Sequence, residues 1–444
     1  MAPLKFPADF TWGTATASYQ IEGAAHEDGR GVSIWDMFSH TPGKVKNGDT
    51  GDVADDHYHR WRDDIQLMKA LNISAYRLSI AWPRILPSGR GAVNELGLEF
   101  YDRLIDELLA NEITPYVTLY HWDLPQPLQD EGGWMRRGIT DDFVNYVDVV
   151  SRALGDRVKN WITFNEPWVF TWLGYVIGVH APGLTSATPE PAFITSHNCY
   201  LAHGLSVPVI RSNSKDAQVG ITLNLSPADP ATSKPADLEA TAIYDGWFNR
   251  WYLDPLYRKQ YPADIVQTYE PFMPKIEPGD MDIIAAPLDF LGINYYSRAV
   301  IEASGDASRP FQNVRPEGEY TAMDWEVYPL ALYNILMRIH SDYNPGALYV
   351  TENGAAYEDT LTPDGKVHDP QRTAYYQSHL EACQHAIEDG VPLKGYFAWS
   401  LLDNFEWGEG YAKRFGLHYV DYTNQKRYRK DSGDYYAQVA SGKA

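Results

Sequence analysis

Thr114-Pro115-Tyr116-Val117-Thr118-Leu119-Tyr120-His121-Trp122 is a run of β-branched and aromatic residues that closes on an imidazole and an indole. Seven further runs are built the same way along the 444-residue chain: Phe10–Ser18, Ser74–Trp82, Asn160–Pro167, Gln218–Ser226, Asp289–Ser297, Leu348–Gly354 and Leu393–Leu402. Their composition and flanking turn residues read as strands. Helical spacing lies between them. It is cleanest in Trp61–Leu71, apolar at Trp61, Ile65, Met68 and Leu71, and in Phe100–Leu109. Alternating strand and helix predicts a mostly parallel sheet with right-handed crossovers. Eight units predict an α/β fold, a single (β/α)8 TIM barrel spanning residues 1–444, with the length beyond the ~250 residues typical of such barrels placed in long βα-loop insertions. Ser226–Asp237, Ala303–Asp324 and Glu358–Asp369 are the expected insertions. A doubly wound open sheet competes, but no run leads into a G-x-G-x-x-G or P-loop turn.

Barrel chemistry belongs at the C-terminal strand ends. In order these ends carry Gln20 and Glu22, Arg77, His121 and Trp122, Asn165 and Glu166, Asn224, Asn294 and Tyr296, Glu352 and Asn353, and Trp399. Ordinary barrel strands would carry Val, Ile, Leu or Ala there. Polar groups recurring around the whole ring predict one site. Glu166 and Glu352, on the fourth and seventh runs, would face the same mouth, and two carboxylates in one pocket suit glycoside hydrolysis. Pro167 biases Glu166 away from helical backbone geometry, and Gly354 permits a tight turn after Glu352. For either glutamate alone, a satisfied ion pair with an arginine is the competing reading.

Composition excludes other classes. With 37 basic and 59 acidic residues the net charge is −22, against a nucleic-acid partner, which needs a basic face. No run of about 18 apolar residues appears, so no membrane span is expected, and the N-terminus carries no apolar signal segment. Two cysteines, Cys199 and Cys383, suit a reducing compartment, the cytoplasm. The 14 Trp and 31 Tyr are abundant enough to supply sugar-stacking platforms as well as core. Gln20, His121, Asn165 and Glu406 are candidates for hydrogen bonds to hydroxyls, and Trp122, Trp399 and Trp407 for apolar walls. His57-Tyr58-His59 has the H-x-H form of some metal sites but enters a helix, so packing is expected there. Asp49, Asp52, Asp55 and Asp56 read as a solvated loop and helix N-terminus. No metal or organic cofactor is expected, and nothing in the sequence specifies an oligomeric state.

Phe10-Thr11-Trp12-Gly13-Thr14-Ala15-Thr16-Ala17-Ser18-Tyr19-Gln20-Ile21-Glu22-Gly23 resembles the N-terminal signature of family 1 glycoside hydrolases. Thr163-Phe164-Asn165-Glu166-Pro167 and Tyr349-Val350-Thr351-Glu352-Asn353-Gly354 resemble that family's two catalytic-carboxylate motifs. Ala75–Trp82 and Gly292–Ser297 match as well, in the family's order, from about residue 5 to about residue 430. The resemblance implies a retaining exo-β-glycosidase of the β-glucosidase type acting on small-molecule β-glucosides or oligosaccharides, with β-galactosidase, β-fucosidase and transglycosylation as side activities.

By the same resemblance Glu166 is the acid/base and Glu352 the nucleophile, with Arg77 and Tyr296 its neighbours and Asn165 on the sugar 2-hydroxyl. Arg77 is expected to keep Glu352 ionised. Gln20, His121, Trp122, Asn294, Trp399, Glu406, Trp407 and Phe415 fall to the inner sugar site. Trp168, Leu173, His180, Asn224 and Trp325 fall to the aglycone subsite, beside Val169, where many relatives have Cys. Relatives acting on 6-phosphosugars commonly have Ser at the position of Glu406 and Tyr at that of Phe415. An unphosphorylated sugar is therefore expected, with a 6-phospho-β-glucosidase and a non-catalytic sugar-binding barrel as the alternatives.

Overall fold

The eight runs become eight strands: β1 Thr11–Ala15, β2 Ala75–Ser79, β3 Thr114–Tyr120, β4 Asn160–Asn165, β5 Gln218–Asn224, β6 Phe290–Asn294, β7 Leu348–Asn353 and β8 Leu393–Trp399. They form one closed parallel barrel in sequential order, with β8 returning to pair with β1. The computed structural model describes residues 4–306 and 309–443. Residues 1–3, where the N-terminus reading and the 1–444 span begin, lie outside the described residues, as do 444 and positions 307–308 of the expected 303–324 insertion. Helix His57–Ala70 covers the expected Trp61–Leu71 stretch up to its last residue, Leu71, which caps the helix, and helix Glu95–Ala110 contains Phe100–Leu109; both start several residues earlier. The first turn of the former, His57-Tyr58-His59-Arg60, is mostly polar, which apolar spacing does not register.

Tyr116 on β3 meets rings of strands that are not its sheet neighbours across the barrel. Tyr116 on β3 lies 4.9 Å from Phe397 on β8 and 5.6 Å from Tyr349 on β7, which packs 5.3 Å from Phe290 on β6. Gly13 and Gly220 sit where a Cβ would collide with the rings of Phe397 and Phe290. Aromatic bulk on some strands thus requires glycine on their neighbours, as close packing demands.

Two expected insertions are more ordered than loops. Ala228–Pro230, Ala299–Asp306 and Arg309–Asn313 form a three-stranded sheet, covering parts of 226–237 and 303–324. It packs Ala299 and Ile301 against Ala240 and Tyr244 of the helix Pro235–Asp245. Ala228-Asp229-Pro230 reads locally as a turn; its parallel partner Ala299–Ile301, some 70 residues on, makes it a strand. The acidic stretch also departs from expectation. Asp55 is fully buried, and its carbonyl accepts from the guanidinium of Arg427, in the C-terminal hairpin that covers it. Burial pushes its carboxyl well above the ordinary range. His57 is buried on Asp64 at 2.8 Å, whereas His59 is exposed and pairs with Asp56 and Glu27. Among the described residues no helix is long and apolar enough to cross a membrane.

The loops beyond β7 and β8 are tied to the C-terminal segment by buried charges. Lys430 Nζ donates to Asp359 at 2.5 Å and Asp403 at 2.6 Å; Arg372 donates to Asp359 and Asp369, and Arg414 to Asp403. The side chains of Lys430 and Asp403 are fully buried. Removing one partner leaves an uncompensated buried charge, so Lys430→Ala is expected to lower unfolding stability by about 3–5 kcal/mol. Urea titration measures it; an unchanged midpoint would contradict the network's role.

Candidate active site

The C-terminal mouth of the barrel opens into a cavity of about 1080 Å³. His121, Trp122, Glu166, Asn294, Tyr296, Glu352, Trp399, Glu406, Trp407 and Phe415 line it, as do Trp168, Leu173, His180, Asn224 and Trp325. Gln20, Arg77 and Asn165 lie behind this lining, fully or almost fully buried. Two strand-end residues turn away. Glu22 accepts from Tyr101 at 2.6 Å and Arg84 at 3.1 Å as a satisfied core ion pair. Asn353 bonds Tyr295, Tyr375 and Tyr396. Sequence reasoning missed Lys44, Tyr244, Phe248, Arg298, Glu326, Glu409 and the 313–316 stretch, all of which line the cavity. Arg298 could have been found by reading one residue beyond the sixth run. The others sit on insertions and carry no strand-end signal. Lys413 donates to the carbonyl of Ala322.

Local backbone aims the central residues. Register shifts interrupt the β4–β5 pairing between Ile162 and Asn165, and the β7–β6 pairing between Val350 and Glu352. Bulges of this kind re-aim side chains beside functional sites. Glu166 has φ 47°, Trp122 77° and Trp407 47°. Non-glycine residues held there cost of order 1 kcal/mol or more each and persist where surrounding structure over-determines them. Pro167 does accompany a departure of Glu166 from right-handed helical geometry. Gly354 is needed for a different reason from the one expected: a Cβ there would strike the carbonyl oxygen of Trp399, and its φ is not positive.

The polar groups form one network. Arg77 donates Nη1–H to Glu352 Oε1 at 2.5 Å and Nη2–H to Asn165 Oδ1 at 2.6 Å. Tyr296 donates its hydroxyl to Glu352 Oε2 at 2.7 Å. Asn294 Nδ2 donates to Glu166 Oε1 at 2.7 Å and to Asn165 Oδ1 at 3.1 Å, while Asn294 Oδ1 accepts from Thr351 at 2.8 Å. Donor logic then fixes further atoms. A guanidinium only donates, so the oxygen of Asn165 must face Arg77 and its Nδ2 must face His121 Nε2, 3.1 Å away. Nε2 is therefore the acceptor, and Nδ1, which has no partner among the described residues, carries the hydrogen. Gln20 donates Nε2 to Asn404 Oδ1 and the carbonyl of Phe405, leaving its buried Oε1 unpaired as an acceptor. Glu406 Oε2 is likewise buried and unpaired. These three residues thus present one donor and two carboxamide or carboxyl oxygens without partners among the described residues, beside indole faces, and Trp168 Nε1 and His180 Nδ1 of the same lining are unpaired as well. Trp122 lies 4.6 Å from Trp407 and donates its N–H to the carbonyl of Asn165.

Burial pushes Glu166 well above the usual carboxylate range, and the charge of Glu352 adds to the shift against pulls from Asn294 and Arg77. Burial also lifts Glu352, opposed by Arg77 and by the hydrogen bond from Tyr296. Arg77 therefore limits a desolvation penalty and does not by itself hold Glu352 below its ordinary value. Of the two, Glu166, which has no guanidinium on it among the described residues, is raised the further. Glu406 is pushed up to about 8 by burial, then by Glu352 and Glu409. Burial and then Arg77 hold His121 well below its ordinary value, so it is neutral.

Comparison with known proteins agrees with this geometry. The family model described as Glycosyl hydrolase family 1 matches residues 3–444. Beta-glucosidase A of Thermotoga maritima is 50% identical over 437 residues, covering 98% of this chain and 97% of that protein. A Bifidobacterium breve bifunctional beta-D-glucosidase/beta-D-fucosidase is 44% identical, covering 97% of each. The solved structure of the beta-glucosidase from Thermotoga maritima in complex with glucoimidazole superposes with a TM-score of 0.97 at 50% identity, covering 99% of each chain.

In ¹⁵N spectra of histidine-labelled protein, His121 is expected to stay neutral with the hydrogen on Nδ1 between about pH 5 and pH 9, a range in which an ordinary histidine titrates. An imidazolium signal in that range would overturn the donor assignment.

Proposed function

The chain belongs to glycosyl hydrolase family 1 and has β-glucosidase activity, and we propose that it removes terminal non-reducing β-D-glucosyl residues with retention, through a covalent glycosyl-enzyme. The observation that carries this reading is the unequal treatment of two carboxyls in one cavity: Glu352 is held by Arg77 and Tyr296, and Glu166, among the described residues, by the Asn294 amide alone. In the first step a Glu352 oxygen attacks the anomeric carbon, the glycosidic C–O bond breaks, and the Glu166 proton passes to the departing oxygen. In the second step water attacks the same carbon, Glu166 takes its proton, and the ester bond to Glu352 breaks. Esterification removes the negative charge of Glu352, the second largest cause of the raised Glu166 pKa. Glu166 then gives up its proton more readily and can serve as the base.

Arg77 and Tyr296 orient the nucleophile in this reading, and Asn165, held by Arg77 and Asn294, faces the 2-hydroxyl. The unpaired atoms of Gln20, His121 and Glu406 receive the remaining hydroxyls, with Trp122, Trp399, Trp407 and Phe415 as walls. Trp168, Leu173, His180, Asn224 and Trp325 take the aglycone, which includes the second sugar of cellobiose and the ring of aryl glucosides. β-Fucosides, β-galactosides and transfer to sugar acceptors are side activities in this proposal. The bifunctional Bifidobacterium breve relative supports the first of them. A buried carboxyl at Glu406 disfavours a phosphorylated sugar. Cytoplasmic action is part of the proposal, and two buried, unbridged cysteines suit it.

Hydrolysis of an aryl β-glucoside followed by NMR is expected to show the β-anomer of glucose first; an initial α-anomer would refute retention. Glu352→Gly should lose hydrolysis by several orders of magnitude and, with azide added, should accumulate the α-glucosyl azide. Tyr296→Phe removes a donor that lowers the Glu352 pKa, so the acidic limb of kcat/KM should move to higher pH. An unmoved limb would separate Tyr296 from the titration of Glu352.

A further inference from the structure

We propose that Ser18, Ser79 and Asp123 form a hydrogen-bonded brace that positions the residues holding the inner sugar, so that cutting it loosens binding more than chemistry. This rests on reading the cavity as a β-glucoside site. The three residues leave the ends of β1, β2 and β3 and are 3%, 2% and 0% exposed. The backbone N–H of Ser18 donates to Ser79 Oγ at 2.7 Å. The Ser79 hydroxyl donates to Ser18 Oγ at 3.1 Å, and the Ser18 hydroxyl donates onward to Asp123 Oδ2 at 2.9 Å. Every hydroxyl hydrogen in the chain points the same way and ends on a carboxyl, a consistent order for a cooperative network.

Its two ends are the sugar-facing segments. Gln20 is two residues beyond Ser18, on the four-residue helix Ser18–Ile21, and His121 and Trp122 immediately precede Asp123. From Gln20 the belt continues through Asn404 to the Ser400 hydroxyl, next to Trp399. The groups that face the cavity from β1, β3 and β8 are thus tied to one another from behind.

All four residues of that short helix are buried, but a small void remains beside it. A polar cavity of about 10 Å³, room for about one water, lies against Ser18, Glu22 and Arg30. Asp123 is also a costly residue for a purely structural place. Its Oδ1 has no partner among the described residues, and burial pushes its carboxyl up to about 7 against the pulls of Ser18 and Arg30. An unpaired buried polar oxygen is a penalty that an apolar side chain would avoid. The bond to Ser18 is what the carboxyl supplies in return.

The test compares the full-length protein with Ser18→Ala, Asp123→Ala, Asp123→Asn and the Ser18→Ala/Asp123→Ala double variant. KM and kcat for 4-nitrophenyl β-D-glucopyranoside, the inhibition constant of D-glucose, and Tm are measured for each. Ser18→Ala and Asp123→Ala should raise KM and the glucose inhibition constant about tenfold, with kcat within about twofold. Asp123→Asn keeps an oxygen for the Ser18 hydroxyl and should stay near wild type. The double variant should be no worse than the worse single one, because both cut the same bond. Unmoved KM and glucose inhibition with only Tm lowered would overturn the proposal, as would losses that multiply in the double variant. Should Asp123→Ala fail to fold, Ser18→Ala, the loss of one hydroxyl, decides the matter with Asp123→Asn. A wild-type enzyme that does not hydrolyse the glucoside would sink the functional reading itself, whereas active wild type with unmoved variants sinks only the brace.

Discussion

Arg77, 1% exposed inside the barrel, divides its guanidinium between Glu352 and Asn165, and the rest of the site is arranged around that division. Two carboxyls in one desolvated cavity cannot both ionise cheaply, so the position of Arg77 biases which of them carries charge. Its place on Glu352 leaves Glu166 the more strongly raised of the two. The other amine of the guanidinium fixes the orientation of Asn165, which in turn fixes the tautomer of His121. One buried fork therefore biases an acid–base assignment and sets a hydrogen-bond polarity together.

A polar cluster of this kind is tolerable inside a barrel only because nearly every member is satisfied. Asn294 bridges Glu166, Asn165 and Thr351; Tyr296 completes Glu352; Trp122 reaches the carbonyl of Asn165. Among the candidate sugar contacts, Glu406 and His121, each with an unpaired atom, line the cavity with the indoles, and Gln20, with an unpaired oxygen, lies just behind them. A pyranose supplies both kinds of complement, hydroxyls for the unpaired atoms and C–H faces for the rings. Below this layer the barrel interior turns apolar, where Tyr116, Tyr349, Phe290 and Phe397 meet. They give the polar layer a rigid base.

How much of this was legible beforehand varies by element. All eight strands were visible, because β-branched and aromatic runs of barrel length are a local signal, and their polar C-terminal ends marked the mouth. The strands Ala228–Pro230 and Arg309–Asn313 were not, since each depends on a partner outside its own stretch. Asp55 read as solvated because the covering Arg427 comes 372 residues later. Glu22 and Glu166 look alike as strand-end carboxylates, yet Arg84 and Tyr101 absorb the first and leave the second facing the cavity.

Sequence by itself determined the barrel, the ring of polar residues at one end of it, and the identity of the two central glutamates, because these follow from local composition repeated at strand spacing and from distinctive motifs. Tertiary structure alone decided how far burial and neighbouring charge raise each carboxyl, which nitrogen of His121 donates, and which lining comes from the insertions. Each of those depends on where a charge or a partner atom sits across the barrel, and electrostatic and hydrogen-bond energies are set by distance and burial in space, not by separation along the chain.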